Sequence, residues 1–270
     1  MADLTVAVGG LGAIGLPVAR ALDGGAIPGL RLVAVSARDR AGAKERLSSF
    51  AAPPPVLGLG DLAAAAEVVV ECAPAASFED IAGPAIEAGR VLLPLSVGAL
   101  LRRPDLIDRA EATGARIVVP SGALLGLDGV RAAAEGEIAS VTMVTRKPPG
   151  GLAGAPYVVE QGIDLNGVRA PLRVFAGNAR EAAKGFPANI NVAVALSLAG
   201  IGPDRTMVEI WADPTVERNT HRIRVEADAV RFELTIEGVP SPDNPRTGRL
   251  TPLSTLATLR GLVAPLRVGT

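Results

Sequence analysis

Over its first 120 or so residues the chain alternates short β-branched runs with stretches of helical spacing, and no other feature limits its fold as much. Residues 4–8, 30–35, 68–72, 90–93 and 116–119 read as strands. Residues 13–22, 41–50, 78–88 and 104–113 read as the helices between them, with Ser77 the N-cap of the third. Strands that alternate with helices need crossover connections, which give a parallel sheet covered on both faces. The apolar residues suit such a sheet: 49% of the chain is hydrophobic, mean hydropathy is +0.34, and Ala, Val and Leu are spread along its whole length. Pro53-Pro54-Pro55 is a rigid connection inside this unit.

After Pro120 the rhythm changes. Residues 140–146 and 172–176 read as strands, 179–184 and 188–199 as helices, and 207–212, 221–227 and 230–237 as three further strands. The last two alternate polar and apolar residues, as an antiparallel hairpin with one wet face does. A helix over 253–262 follows. At roughly 150 residues per domain, 270 residues make two domains. The expected division is 1–125 and 126–250, with a C-terminal helix at about 251–265 packing back on the first.

Gly10-Leu11-Gly12-Ala13-Ile14-Gly15 fits G-x-G-x-x-G, and it sits where such a loop works, after the first strand and at the start of the first helix. Gly10 permits the tight turn, Gly12 the close approach of a pyrophosphate, and Gly15 tight helix-to-strand packing. Free N–H groups and the positive helix end then hold the diphosphate, with Ala13 and Ile14 part of the loop. The fold class is therefore α/β: an N-terminal Rossmann doubly wound parallel sheet plus a mixed α+β catalytic domain. An NAD site usually carries an acid at the end of the second strand, about 20 residues on. Ser36 stands there, with Arg38 and Arg40 close by, a combination that accommodates a 2′-phosphate, while Asp39 is the alternative ribose partner. The cofactor is read as NAD or NADP. Further cofactor contacts are expected at strand ends, from Cys72-Ala73, Ser96-Val97-Gly98 and Ser121-Gly122-Ala123.

Composition excludes several classes. Cys72 is the only cysteine and forms no internal disulfide, and with one histidine the chain lacks the donors for a Cys/His zinc site; no metal is expected. The 27 basic and 28 acidic residues nearly cancel and no dense basic run occurs, so neither nucleic acid nor an anionic membrane is an expected partner. Asp3 precedes the first apolar run, unlike a secretory signal, and no segment has a membrane span's length. The expectation is a soluble cytoplasmic protein.

Four segments carry a family resemblance: Pro120-Ser121-Gly122-Ala123, Phe186-Pro187-Ala188-Asn189-Ile190-Asn191-Val192-Ala193, Asn219-Thr220-His221 and Asn244-Pro245-Arg246-Thr247-Gly248-Arg249. With the glycine loop and the length, they make the chain resemble the L-aspartate dehydrogenases, related in fold to dihydrodipicolinate reductase and homoserine dehydrogenase. The resemblance implies NAD(P)-dependent oxidative deamination of L-aspartate to iminoaspartate, then oxaloacetate and ammonia, in the service of NAD biosynthesis, by a homodimer. It implies that His221 is catalytic and that Ala123 and one of Asn189 and Asn191 touch the cofactor. Ser36 departs from the acid that family members often carry.

The residues support His221 independently. Imidazole, with an ordinary pKa near 6.5, can take a proton as hydride leaves and assist water on the imine. His221 is the single side chain of that kind. Aspartate's two carboxylates call for cations, and lysines number only three, Lys44, Lys147 and Lys184. Candidates are Lys184, Arg246, Arg249 and Arg146, with Asn219, Thr220 and Ser96 adding hydrogen bonds. Phe186, Trp211 and Cys72 read as core. Rival readings are a dehydrogenase or reductase of another small dicarboxylic amino or imino acid, and a non-catalytic dinucleotide sensor, which has no evident need of His221.

Overall fold

The computed structural model describes residues 2–188, 190–242, 244 and 247–269, which form two compact units. The first runs to Gly122 and regains Thr251–Arg267; the second is Ala123–Leu250. In order, the first contains β1 (Leu4–Gly9), α1 (Gly15–Asp23), β2 (Leu30–Ser36), α2 (Arg40–Leu47), α3 (Leu62–Ala65), β3 (Val68–Glu71), α4 (Phe78–Glu87), β4 (Val91–Pro94), α5 (Val97–Leu100), α6 (Asp105–Thr113) and β5 (Arg116–Ile117). The second contains α7 (Leu127–Ala133), β6 (Ile138–Lys147), α8 (Pro156–Glu160), β7 (Leu172–Asn178), α9 (Ala179–Gly185), α10 (Asn191–Ala199), β8 (Thr206–Ala212), β9 (Thr220–Ala227) and β10 (Arg231–Glu237). The last helix is α11 (Leu250–Gly261).

The first sheet is wholly parallel, in the order β2-β1-β3-β4-β5. Its order reverses between β1 and β3, so the ligand crevice of such a sheet opens at their carboxyl ends. Every residue of β3 is buried, as a central strand covered on both faces must be. One face packs Leu62, Phe78, Ile81, Ile86 and Leu106; the other packs Val18, Leu22 and Leu47 with Leu259 of α11. Val263 lies over Gly29, and Arg260 donates to the Ala26 carbonyl at 2.8 Å.

The second sheet runs β10-β9-β6-β8-β7 and is mixed: β6 and β8 are parallel, and the other neighbours are antiparallel. Along β6, Val141, Met143, Thr145 and Lys147 are buried, and the residues between them face the half-wet side. β9 repeats the alternation with His221, Ile223 and Val225 buried and Arg222 and Arg224 exposed. The α/β expectation for both units is met.

Differences are local and have physical causes. α3, α5, α7 and α8 have at most seven residues, too few for a helical period to emerge from sequence. Ser77 stands at the N-cap of α4, but its side chain makes no capping hydrogen bond. Phe186 is core, packed tilted against Tyr157 and edge-on against Phe175 at centroid distances of 5.5 and 5.6 Å. Trp211 is not core: strand alternation turns it to the half-wet face, beneath Arg146 at 4.9 Å and Arg173 at 5.9 Å. Among the described residues no helix is long and apolar enough to cross a membrane.

Leu259 is fully buried against a sheet more than 140 residues away in sequence. Leu259→Ala is expected to cost about 2–5 kcal/mol of stability in urea unfolding. A loss below about 0.5 kcal/mol would show that α11 does not complete this core.

Candidate active site

The glycine loop is built by backbone constraints. Gly10 has φ +105°, and a Cβ there would lie 2.7 Å from the Cys72 carbonyl oxygen; a Cβ on Gly15 would lie 1.8 Å from that of Gly10. A Cβ on Gly12 would meet nothing within 4 Å. The Gly10 N–H donates to the Ser36 carbonyl at 2.8 Å, which ties the loop to the end of β2. Among the described residues, the N–H groups of Gly12, Ala13 and Ile14 donate to no group of the chain. Bare N–H groups beside open space at Gly12, at the start of α1, fit the diphosphate of NAD or NADP. Arg46, which the sequence reading did not single out, reaches from α2 and donates to the Leu11 carbonyl at 3.1 Å.

At the end of β2, Ser36 is buried and Arg38 exposed. Asp39 is engaged as the N-cap of α2, its carboxylate accepting the Gly42 N–H at 2.9 Å. The carboxylate expected as an alternative ribose partner thus already has a local role.

Cys72 and Ala73 follow β3 beside the loop, and the Cys72 N–H donates to the Gly9 carbonyl at 2.8 Å. Cys72, expected in the core, is only partly buried; desolvation of its thiol and the neighbouring Glu71 push its pKa well up, which disfavours the thiolate. Glu71 was missed from sequence, although an acid closing a run of three valines is a visible signal. Fully buried, it accepts the Ser96 N–H at 2.8 Å, the Ser96 hydroxyl at 2.9 Å and the Leu95 N–H at 3.1 Å. It thereby fixes the turn after β4 beside the turn after β3. Burial raises its carboxyl above the ordinary range, and the donors of Ser96 and Leu95 oppose that rise.

In the second unit His221 is 4% exposed and opposes Thr145 across the β6–β9 ladder. Its Nδ1 lies 3.1 Å from Thr145 Oγ1, in hydrogen-bond contact. Burial, and after it the charge of Lys147, together lower its pKa to about 4. The ordinary value expected from sequence therefore does not hold: the imidazole is neutral at pH 7.

The other candidates are distributed as follows. Thr220 precedes His221 and so points to the opposite face of β9, while the Asn219 carbonyl accepts the Gly238 N–H at 2.9 Å. Lys184 is exposed in the last turn of α9, and Asn191 is exposed at the first position of α10. Ala123 opens the second unit. Asn189 and Arg246 lie outside the described residues. Arg146 pairs with the buried Asp213 at 2.8 Å, and Asp213 also accepts the Thr215 hydroxyl at 2.6 Å. Among the described residues no cluster of three or more His, Cys, Asp or Glu could hold a metal ion.

A glycine loop at the switch point of a parallel sheet, joined to a separate α+β unit with a buried histidine, defines a nicotinamide-dinucleotide dehydrogenase. Residues 10–120 match the family model described as homoserine dehydrogenase, NAD binding domain, and residues 128–262 match aspartate dehydrogenase, C-terminal. The chain is 56% identical to an L-aspartate dehydrogenase of Bradyrhizobium diazoefficiens, over 99% of this chain and 95% of that one. It is 53% identical to L-aspartate dehydrogenase 3 of Bordetella bronchiseptica, over 99% and 98%. The crystal structure of aspartate dehydrogenase from Thermotoga maritima superposes with a TM-score of 0.72 at 26% identity, covering 99% of this chain and 100% of that one. The chain belongs to the L-aspartate dehydrogenase family and is an NAD(P)-dependent amino-acid dehydrogenase.

The depressed histidine has a stability consequence. With a folded value of about 4 against 6.5, the unfolded chain takes up this proton first as pH falls. The stability of neutral His221 is present above 6.5 and lost progressively down to 4. Between pH 7 and 4.5 this amounts to about 2–3 kcal/mol. His221→Gln, compared with the wild type by urea unfolding at both pH values, should lose less stability by that amount; equal losses would contradict the burial of a neutral imidazole.

Proposed function

We propose that the protein oxidises L-aspartate with NAD+ or NADP+, giving iminoaspartate and, after addition of water, oxaloacetate, ammonium and one proton. The observation that carries this reading is a buried neutral imidazole held by Thr145 at the polar end of a sheet face, in a chain of this family. Bound NAD+ or NADP+ supplies the hydride acceptor. Gly12, Ala13 and Ile14 hold its diphosphate by their N–H groups. Ala123 and one of Asn189 and Asn191 are proposed as further cofactor contacts. His221 serves as the base: with the proton on Nδ1 donated to Thr145 Oγ1, Nε2 is left with its lone pair for the substrate amine and then for the attacking water. The substrate's negative charge raises the affinity of the imidazole for that proton, opposing the effect of burial.

Ser36 at the end of β2, with Asp39 committed to its helix cap, supports acceptance of NADP alongside NAD. The reaction is reversible, and supply of a precursor for NAD biosynthesis is the proposed use. We also infer a cytoplasmic homodimer; the half-wet sheet face bearing Val144 and Trp211 supports a second copy.

Purified protein given L-aspartate and either oxidised cofactor should produce the reduced form at alkaline pH, and His221→Ala should lose at least about 100-fold in kcat while binding the cofactor normally. Absence of turnover in both directions with both cofactors would overturn the reading; a His221→Ala variant of near-normal kcat would remove the histidine from it. Ser36→Asp should shift the ratio of kcat/KM toward NAD by about 10-fold or more, through a ribose hydrogen bond and repulsion of the 2′-phosphate. An unchanged ratio would place the ribose elsewhere.

A further inference from the structure

Of the three lysines, Lys44 and Lys184 are exposed and Lys147 is buried, with 6% of its surface accessible. Its position follows from the ladder. On the buried face of β6 the order is Val141, Met143, Thr145, Lys147, and across β9 it is Val225, Ile223, His221. Both strands therefore turn from apolar to polar at the same end of the sheet. Lys147 is two residues beyond Thr145, the partner of His221, and on the same face. On its other side β8 places Ala212 opposite it. The two side chains interact electrostatically, since Lys147 depresses the histidine.

Arg146 points to the opposite face, where Asp213 and the Trp211 ring hold it. Asp213 itself is bonded to Arg146 and Thr215. Burying a lysine is costly, and burial alone brings its pKa to about 8. A chain that keeps such a cation beside its one histidine gains from it when an anion arrives. Lys184 is exposed on α9, and Arg146 lies on the opposite face of β6.

We propose that Lys147 is a substrate-binding residue, its ammonium pairing with a carboxylate of the small dicarboxylate bound at His221. This rests on the functional reading above. It makes Lys147 a determinant of the preference for a dianionic substrate, and the arriving carboxylate also offsets the charge that depresses the histidine.

The test uses the full-length enzyme, with succinate as a dicarboxylate that cannot react. Succinate binding by calorimetry, with cofactor present, is compared between wild type, K147M, K147Q and K147R, and KM and kcat for L-aspartate are measured in parallel. Loss of a charge-assisted contact should weaken succinate and raise KM by about 10- to 100-fold in K147M and K147Q, with kcat within about 5-fold. K147R should recover part of the binding, and all variants should bind reduced cofactor as the wild type does. Succinate affinity unchanged within about 3-fold in K147M or K147Q overturns the proposal, as does a collapse of kcat with KM and succinate binding intact. Failure of the wild type itself to turn over L-aspartate overturns the functional reading instead, and the succinate comparison still decides the role of Lys147.

Discussion

The register of β6 against β9 is the constraint on which the second unit depends. Side chains alternate along a strand, so a slip of one residue would send every buried group to the wet face. In the register observed, Val141 faces Val225, Met143 faces Ile223 and Thr145 faces His221. Apolar pairs hold the ladder, and the same alternation delivers one imidazole and one ammonium to the polar end of the face. Packing and chemistry are therefore set by one pattern. The depressed histidine is its direct result, because burial deep enough to order the ring also removes the water that would stabilise its cation.

The first unit solves its problem with backbone. Gly10 and Gly15 admit approaches that any Cβ would block, and Gly12 leaves open space where a phosphate needs it. Glu71 supports this arrangement from beneath, since its carboxylate gathers the donors at Leu95 and Ser96 and holds two crevice turns together. A buried acid satisfied by three donors is a stiffening element.

The parallel unit was legible in sequence because each strand and helix carries its own period, and the glycine loop lies where the first strand meets the first helix. The alternation of β9 likewise announced a one-sided strand. What stayed hidden depends on pairings between segments distant in sequence. His221 was singled out from sequence as a candidate, but its depressed pKa was not foreseen, since that shift arises from burial and from a neighbouring strand. Lys147 was passed over because an isolated lysine is ordinarily a surface residue. Lys184 was preferred, yet α9 leaves it exposed. Trp211 shows the same limit: its own strand alternation decides its face, but only the sheet order supplies the two arginines that cover it.

In the proposed reaction the enzyme removes hydride from the α-carbon of L-aspartate. L-aspartate carrying deuterium at C2, incubated with the enzyme and NAD+ or NADP+, tests it most directly through the mass of the reduced cofactor. One deuterium on the nicotinamide ring for each turnover is the predicted result. Reduced cofactor without label, or no reduction at all, would contradict the account.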